Sequence, residues 1–302
     1  MPSAGEISQQ IAKEIDRRSR LAVPAFAGGL LYLLSSIIIS ATLNGAPTVG
    51  LLQGLTPALS GVASPVLSPR APEVKFISHN ALPLIAGSVL AALAVGVLTL
   101  ALLLLLDAAR FRRPATWAPA RTLVLYGGIA FATVSVGHQV VSAIATHKFA
   151  VGHDFSTHAV DQALTKGTAN VVVDYLDLLA GLALAAGMIT TMLSALRVGL
   201  MPRWLGFLGI FSGLLIFLPI GGAQLQVIPA LWMVMIGILF IGRWPTEPPA
   251  WVSGESRPWP TAAERRAAEG AGNGKPVPAG APAPAPPRAP SSRKRRKRGS
   301  RE

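Results

Sequence analysis

Long runs of apolar residues dominate the chain between Arg20 and Arg243. A helix needs about 20 apolar residues to cross a hydrocarbon core about 30 Å thick. Six runs reach or approach that length, and the last two are the shortest. We predict an all-α fold, a bundle of six transmembrane helices with spans at about 21–43, 82–106, 122–146, 173–196, 204–221 and 225–242.

Lysine and arginine collect in alternate gaps between these spans, which predicts the orientation of the bundle. One set of flanks holds Lys13, Arg17, Arg18, Arg20, Arg110, Arg112, Arg113, Arg121, Arg197 and Arg203. The opposite loops hold only Arg70, Lys75, Lys148 and Lys166. Because basic flanks are retained on the cytoplasmic side, both termini are expected in the cytoplasm.

Two segments before the second span have patterns of their own. Residues 1–20 are predicted to form a cytoplasmic amphipathic segment, because Ile7, Ile11 and Ile15 recur four apart among polar residues. The stretch that follows the first span is uncharged but is interrupted by several prolines, so we predict no seventh span there. A re-entrant or interfacial element around 51–62 remains open, since irregular backbone at membrane depth requires cover by other protein.

The chain changes composition beyond Gly242 and becomes rich in proline and alanine. Such composition is typical of a disordered, semi-extended linker. We predict that residues 243–302 form a flexible cytoplasmic tail. It ends in an uninterrupted basic run, Arg293, Lys294, Arg295, Arg296, Lys297 and Arg298.

The composition agrees with a membrane protein, and most of the net charge lies outside the predicted spans. The chain is 51% hydrophobic and 14% charged, against about 25% charged residues in soluble domains. Most of the net charge of +13 lies in the tail. The basic run is expected to contact anionic lipid head groups or to remain a solvated tail, and nucleic acid is the least favoured partner. The sequence does not identify a protein partner or an oligomeric state.

Candidate chemistry concentrates in the outer halves of the third and fourth spans. His138 and Gln139 lie in the third span, and Asp174 and Asp177 lie near the start of the fourth. These antiparallel helices can bring His138 to Asp177, directly or through water, as a proton- or cation-linked site. The alternative is that both aspartates lie at the wet outer interface and that a neighbouring hydroxyl satisfies His138.

The sequence gives less support to metal, haem or thiol chemistry. With no cysteine, thiolate nucleophiles and cysteine-ligated metals are excluded. The spacing of the five histidines matches no metal-binding motif, and only His138 lies deep enough for a haem ligand. We predict no metal, no cofactor and no catalytic residues, and we do not expect an enzyme.

Several short pieces near the C-terminal end are similar to multi-pass membrane proteins of unknown function from actinobacteria. The pieces are Arg197-Val198-Gly199-Leu200, residues 204–210, Gly242-Arg243-Trp244-Pro245, Pro249-Ala250-Trp251 and Pro258-Trp259-Pro260. The resemblance implies a bacterial cytoplasmic membrane. It implies no activity and no functional residues.

Three function classes follow from these observations. The first is a non-enzymatic scaffold, sensor or accessory protein that acts through its tail and helix faces. The second is a small ion-coupled transporter or channel with a polar site between spans three and four. The third, a membrane enzyme, rests only on the outer histidines and aspartates.

Overall fold

A computed structural model describes residues 4–47, 50, 68–152, 154–218, 225–245, 247–260, 264 and 266. Within these ranges the chain is helical, with no strand. The helices are α1 (Ala4–Asn44), α2 (Ala71–His79), α3 (Ala81–Arg112), α4 (Ala120–Val151), α5 (Thr157–Asp161), α6 (Thr168–Val198), α7 (Arg203–Phe217), α8 (Val227–Ile241) and α9 (Pro249–Ser253), and a π-helical turn (Gln162–Lys166) joins α5 to α6. The all-α prediction is confirmed.

Four of these helices, α1, α3, α4 and α6, are long and apolar enough to cross a membrane. This is the architecture of an integral membrane protein. The other two predicted spans correspond to α7 and α8, which are apolar but have 15 residues each. At 1.5 Å per residue each is about 22 Å long, shorter than the hydrocarbon core.

The first helix contains both the predicted N-terminal segment and the first span. It runs without a break for 41 residues, so residues 4–20 extend the span instead of forming a separate helix along the membrane. The side chains of Ile7 and Ile11 pack closely against Gly254. Ile15 is exposed. The isoleucine stripe therefore contacts the chain's own C-terminal region at two of its three positions.

The apolar core lies where the six larger helices meet. Helix α1 packs between α3 and α8, α4 packs between α3 and α6, and α7 contacts α6 and α8. The most completely buried side chains include Trp232, Leu102, Leu105, Leu184, Met188 and Met192. The indole of Trp232 donates to the backbone oxygen of Leu205 at 3.0 Å, which joins α8 to α7.

Glycines allow α1 and α8 to approach each other closely. A Cβ on Gly237 would lie 2.6 Å from the backbone nitrogen of Phe26, and one on Gly29 would lie 2.7 Å from the backbone oxygen of Ala230. Small residues at such crossings are a common basis of helix association in membranes. The α1–α8 contact therefore depends on the absence of side chains at these two positions.

A second, smaller core covers one end of the bundle. It is formed by α2, α5, the π-helical turn and the end of α4, and its buried members are Ala71, Val74, Phe149, Val160 and Ala163. The ammonium group of Lys75 lies 4.1 Å from the ring centre of Phe155, and the backbone nitrogen of Ser68 donates to the oxygen of Phe155. We call this unit the helical cap.

Three of the sequence predictions concern residues largely outside the described ranges. These are the re-entrant element around 51–62, the disordered tail beyond residue 260 and the basic run at 293–298.

The glycine contacts lead to a prediction about stability. Gly29→Ala and Gly237→Ala should each lower the thermal unfolding temperature of the detergent-purified chain, because overpacking costs about 1–3 kcal/mol. Gly96→Ala is the matched control, since no atom lies within 4 Å of a Cβ built there and alanine favours a helix. Equal effects at all three positions would contradict the close-packing explanation.

Candidate functional site

The structure brings two of the predicted polar residues into contact. His138 Nε2 on α4 lies 3.4 Å from Asp174 Oδ1 on α6. The sequence analysis considered a contact with Asp177, directly or through water, whereas the direct contact of His138 in the structure is with Asp174. Asp177 still lies close enough to interact electrostatically with His138, but its Oδ1 is buried and has no hydrogen-bond partner. Gln139 makes no hydrogen bond to the other three residues.

The register of α4 against α6 explains why His138 meets Asp174. A Cβ on Gly127 would lie 2.7 Å from the backbone nitrogen of Leu184, so these two residues face each other in the antiparallel pair. Moving outward from that crossing by the same number of residues on each helix places His138 opposite Val173. The nearest carboxylate is then the neighbouring Asp174, and Asp177 lies about one turn deeper.

Helix lengths measure how far this polar cluster lies from the basic ends of α4 and α6. About 20 helical residues cross the hydrocarbon core. Counted from Arg121 on α4, that length ends near Val141, and counted from Arg197 on α6 it ends near Asp177. The side chains of His138 and Asp174 are 38% and 48% exposed. The cluster therefore lies close to where a membrane-length segment of each helix ends.

The opposite end of the bundle contains a more extensive polar cluster that the sequence analysis missed. We call it the arginine-rich end. Arg112, at the end of α3, makes two parallel hydrogen bonds to the carboxylate of Glu14 on α1, at 2.8 and 2.7 Å. The side chains of this ion pair are 0% and 4% exposed.

The remaining donors of Arg112 bind backbone oxygens. Its guanidinium donates to Ala108 within α3 at 2.9 Å and to Ala250 in α9 at 3.1 and 2.9 Å. Buried charges are stable only when such additional hydrogen bonds complete their geometry. The ion pair therefore connects three parts of the chain, namely α1, α3 and α9.

Trp251 covers the ion pair. Its ring centre lies 4.6 Å from the guanidinium carbon of Arg18 and 5.4 Å from that of Arg112, and its indole donates to the backbone oxygen of Leu200 at 2.8 Å. Trp251 is 3% exposed. An indole offers both an apolar body and a cation-binding face, so it suits a position between two arginines.

Arg18 forms a second link between α1 and the C-terminal region. One of its terminal nitrogens lies 3.4 Å from Glu247 Oε1, and the other donates to the backbone oxygen of Leu239 at 3.4 Å. Its Nε is buried without a hydrogen-bond partner. Arg18 thus contacts α8, Glu247 and Trp251 together.

The chain that follows α8 is folded against this end of the bundle. The backbone nitrogen of Arg257 donates to the oxygen of Val198 at 3.1 Å, and Arg203 donates to the backbone oxygen of Trp259 at 3.3 Å. We call residues 247–259 the strap. The predicted flexible tail therefore does not begin at 243, because this part of it is packed on the bundle, and the compact unit extends to Trp259.

Gly199 allows the strap to approach the end of α6. Its φ of +83° is a conformation that side chains disfavour, and a Cβ there would collide with the backbone oxygen of Arg257. The composition of the strap explains why it was missed. Its prolines and small residues resemble a linker, and the indoles of Trp251 and Trp259 are the sequence signal that could have indicated burial.

The two clusters differ in what they can do chemically. At the arginine-rich end the charged groups of Glu14 and Arg112 bind each other and the backbone, so this cluster holds the structure together. The side chains of His138 and Asp174 are partly exposed and lie within ion-pair distance of each other. Among the described residues, no three histidine or acidic side chains lie close enough together to hold a metal ion.

Comparison with known proteins does not extend this picture. No protein-family model, curated protein or solved structure matches the chain.

The two ion pairs should contribute very differently to stability. Glu14→Gln leaves the buried charge of Arg112 without its partner, which costs about 3–5 kcal/mol. Asp174→Asn is the matched control, because it also neutralises one carboxylate but in an exposed pair worth about 0–1 kcal/mol. Thermal unfolding of the purified chain measures both. A large loss for Asp174→Asn, or none for Glu14→Gln, would contradict the assignment.

Proposed function

We propose that the protein is a non-enzymatic scaffold or sensor of a bacterial cytoplasmic membrane. It crosses the membrane six times, with α7 and α8 as the two short spans, and both termini lie in the cytoplasm. The unequal distribution of arginine and lysine supports this orientation. The arginine-rich end then lies inside the cell and the helical cap lies outside.

The strap is the observation that favours the scaffold or sensor function over the other candidate functions. The strap contacts Arg18 of α1 through Trp251, Arg112 of α3 through Ala250 and Val198 of α6 through Arg257. A tail on a flexible linker would be independent of the bundle. Here the tail follows directly after the strap, which is packed on the bundle. We infer that a change in the bundle can therefore influence the chain that continues into the tail.

The interior of the bundle also favours this function over transport. Buried hydroxyl groups at membrane depth bind backbone oxygens, as Thr191 does to Gly187 at 2.7 Å, Ser212 to Leu208 at 2.8 Å and Ser35 to Gly87 at 2.7 Å. Helix α6 continues unbroken through the membrane, whereas carriers commonly bind ions at interrupted helices. These groups therefore stabilise helices and helix contacts.

The second candidate is a small ion-coupled transporter, and the contact of His138 with Asp174 favours it. A carboxylate and an imidazole at 3.4 Å can share or pass a proton. A coupling site of a transporter is expected near the midplane of the membrane, whereas this pair lies near the proposed outer boundary. The scaffold or sensor function therefore has the stronger support. A membrane enzyme has the least support, since neither polar cluster found in the described part of the chain combines a nucleophile with a base.

The basic run of the tail supplies the proposed contact with the membrane. Each lysine or arginine beside an anionic leaflet contributes about 1 kcal/mol. The six residues Arg293, Lys294, Arg295, Arg296, Lys297 and Arg298 can therefore hold the tail against the inner surface. Competition for this run would release the tail for a partner.

The orientation can be tested directly because the chain has no native cysteine. Thr165→Cys lies in the helical cap and Ala115→Cys lies between α3 and α4, and both positions are exposed. A membrane-impermeant maleimide should label Thr165→Cys in intact cells and Ala115→Cys only after permeabilisation. The reverse pattern would overturn the proposed topology.

The tail contact can be tested by energy transfer from a fluorophore at the C-terminus to labelled lipid in nanodiscs. Transfer should be high with about 30% anionic lipid, and it should fall in neutral lipid and at high salt. Replacing residues 293–298 by glutamine should remove the dependence on anionic lipid. His138→Ala is the control and should leave transfer unchanged. Transfer independent of lipid charge would contradict the contact.

A further inference from the structure

One carboxylate at the arginine-rich end is shared by two arginines from different helices. Asp107 of α3 lies 3.8 Å from the guanidinium of Arg17 on α1 and 3.6 Å from that of Arg121 on α4, with one carboxylate oxygen toward each. Hydrogen bonds between such charged groups are about 2.7–2.9 Å long. Both contacts are therefore electrostatic only, in contrast to the hydrogen-bonded pair of Glu14 and Arg112.

The two guanidinium groups have unused N–H donors. Within the described part of the chain neither Arg17 nor Arg121 makes a side-chain hydrogen bond, and their side chains are 62% and 58% exposed. Arg110, one turn from Asp107 on α3, donates to two backbone oxygens of the connection between α3 and α4, but it has no carboxylate partner among the described residues. Three arginines thus face one carboxylate, and the excess of positive charge and of N–H donors favours an anion.

These charged groups lie where lipid head groups are expected. Asp107 is the first charged residue after an uncharged stretch of α3 that runs from Ala81 to Leu106. Arg17 precedes the apolar part of α1, and Arg121 precedes that of α4. Because charged residues stay at the ends of membrane-spanning segments, all three groups border the hydrocarbon core at one surface of the membrane.

An exposed strip of α3 leads from Asp107 into the apolar part of the bundle. We call it the α3 strip, and it consists of Leu103, Leu100, Gly96 and Leu93. Its members follow Asp107 at alternating intervals of four and three residues, so they share one face of the helix. Leu100 and Leu93 are 51% and 56% exposed, whereas most of the neighbouring side chains of α3 are buried. The strip is therefore the part of α3 that contacts lipid.

The α3 strip forms the floor of a groove between α1 and α4. On one side of it Gly28 of α1 lies against Val97, where a Cβ would be 3.2 Å from the valine side chain. On the other side Gly128 of α4 lies against Thr99. Val97 and Thr99 flank the strip because each residue advances about 100° around a helix. Among the described residues, no atom lies within 4 Å of a Cβ built on Gly96, so the floor of the groove is open there.

A phospholipid matches both parts of this surface. Guanidinium groups bind phosphate oxygens through pairs of N–H donors, and an acyl chain matches the apolar floor of the groove. From Asp107 to Gly96 the floor extends about 16 Å along the helix, which is about half the thickness of the hydrocarbon core. The surface therefore has the length of one lipid leaflet. The excess of arginine disfavours a cationic head group and favours a lipid with net negative charge.

We propose that the groove between α1 and α4 binds one anionic phospholipid, with its phosphate between Arg17 and Arg121 and one acyl chain along the α3 strip. This site differs from the tail contact proposed above, because it is built from the bundle and takes a single lipid molecule. It rests on the proposed orientation only in placing that lipid in the inner leaflet. Binding itself requires neither the strap nor the tail.

The test is native mass spectrometry of the full chain in a non-ionic detergent, titrated with dioleoyl phosphatidylglycerol or dioleoyl phosphatidylcholine. We expect phosphatidylglycerol to bind about tenfold more tightly, a difference of about 1.4 kcal/mol. Equal affinity for the two lipids would overturn the proposal. Displacement of phosphatidylglycerol by millimolar inorganic phosphate would also overturn it, because the occupant would then be free phosphate.

The same titration distinguishes the groove from the tail. With residues 293–298 replaced by glutamine, the preference for phosphatidylglycerol should persist. Loss of the preference in this variant would assign the bound lipid to the basic run and overturn the site in the groove. Failure of the groove leaves the topology and energy-transfer experiments unaffected.

Substitutions of the two arginines locate the phosphate. Arg17→Gln and Arg121→Gln should each weaken phosphatidylglycerol binding about tenfold, or about 1.4 kcal/mol. The unfolding temperature without lipid should not fall, because exposed ion pairs contribute little to stability. Arg20→Gln is the matched control, since Arg20 is one turn from Arg17 and 76% exposed but is paired with Asp16 at 3.0 Å. Equal weakening by all three variants would overturn the assignment.

Asp107→Asn distinguishes a lipid site from an ion pair that serves only the protein. The carboxylate competes with a phosphate for Arg17 and Arg121, so its neutralisation should tighten phosphatidylglycerol binding about threefold, or about 0.7 kcal/mol. Unchanged or weaker binding would show that the two arginines serve only Asp107, and the proposal would fail.

Gly96→Leu tests the contact with the acyl chain. The added side chain fills the open floor of the groove and should weaken phosphatidylglycerol binding about fivefold, or about 1 kcal/mol, without lowering the unfolding temperature. Gly137→Leu on α4 is the matched control, because a Cβ there also has no described atom within 4 Å and lies about 24 Å along the helix from Arg121. Equal weakening by both variants would overturn the placement of the acyl chain.

Discussion

The buried ion pair of Glu14 and Arg112 is the interaction on which the arginine-rich end depends. Removing two charges from water costs several kcal/mol for each ion, and the pair alone rarely recovers that cost. Arg112 therefore needs the backbone oxygens of Ala108 and Ala250 and the cover of Trp251. Ala108 belongs to α3, Ala250 and Trp251 belong to α9, and Glu14 belongs to α1. The stability of this end of the bundle is therefore cooperative, because loss of one partner leaves a charged group exposed or without its counter-ion.

The two ends of the bundle are built in different ways, and this difference separates their roles. At the arginine-rich end the polar groups bind one another and hold the strap against the bundle. At the other end α6 begins without a side-chain cap, and the side chains of His138 and Asp174 are partly exposed. Between the two ends, the hydroxyl groups bind backbone oxygens. The partly exposed polar groups thus lie at one end of the bundle, and the contacts that hold the strap lie at the other.

Apolar run length was sufficient to predict the all-α fold and the positions of the four long helices, because membrane thickness sets a minimum length. Register was not predictable to the residue. His138 meets Asp174 because glycines such as Gly127 set the level at which α4 and α6 cross, and sequence spacing on one helix carries no information about that level. The strap was missed for another reason. Its stability comes from Glu14, Arg112 and Leu200, which are distant in the chain, whereas local composition resembles a linker.

The position of Trp251 also constrains how the protein is made. Glu14 and Arg112 emerge early during synthesis, but the residues that cover them are produced only after all the hydrophobic helices. Until then neither Arg18 nor Arg112 has its contacts with Ala250 and Trp251. Docking of the strap therefore cannot precede synthesis of the last large helix, and a chain truncated before Trp251 would leave the two arginines without their cover.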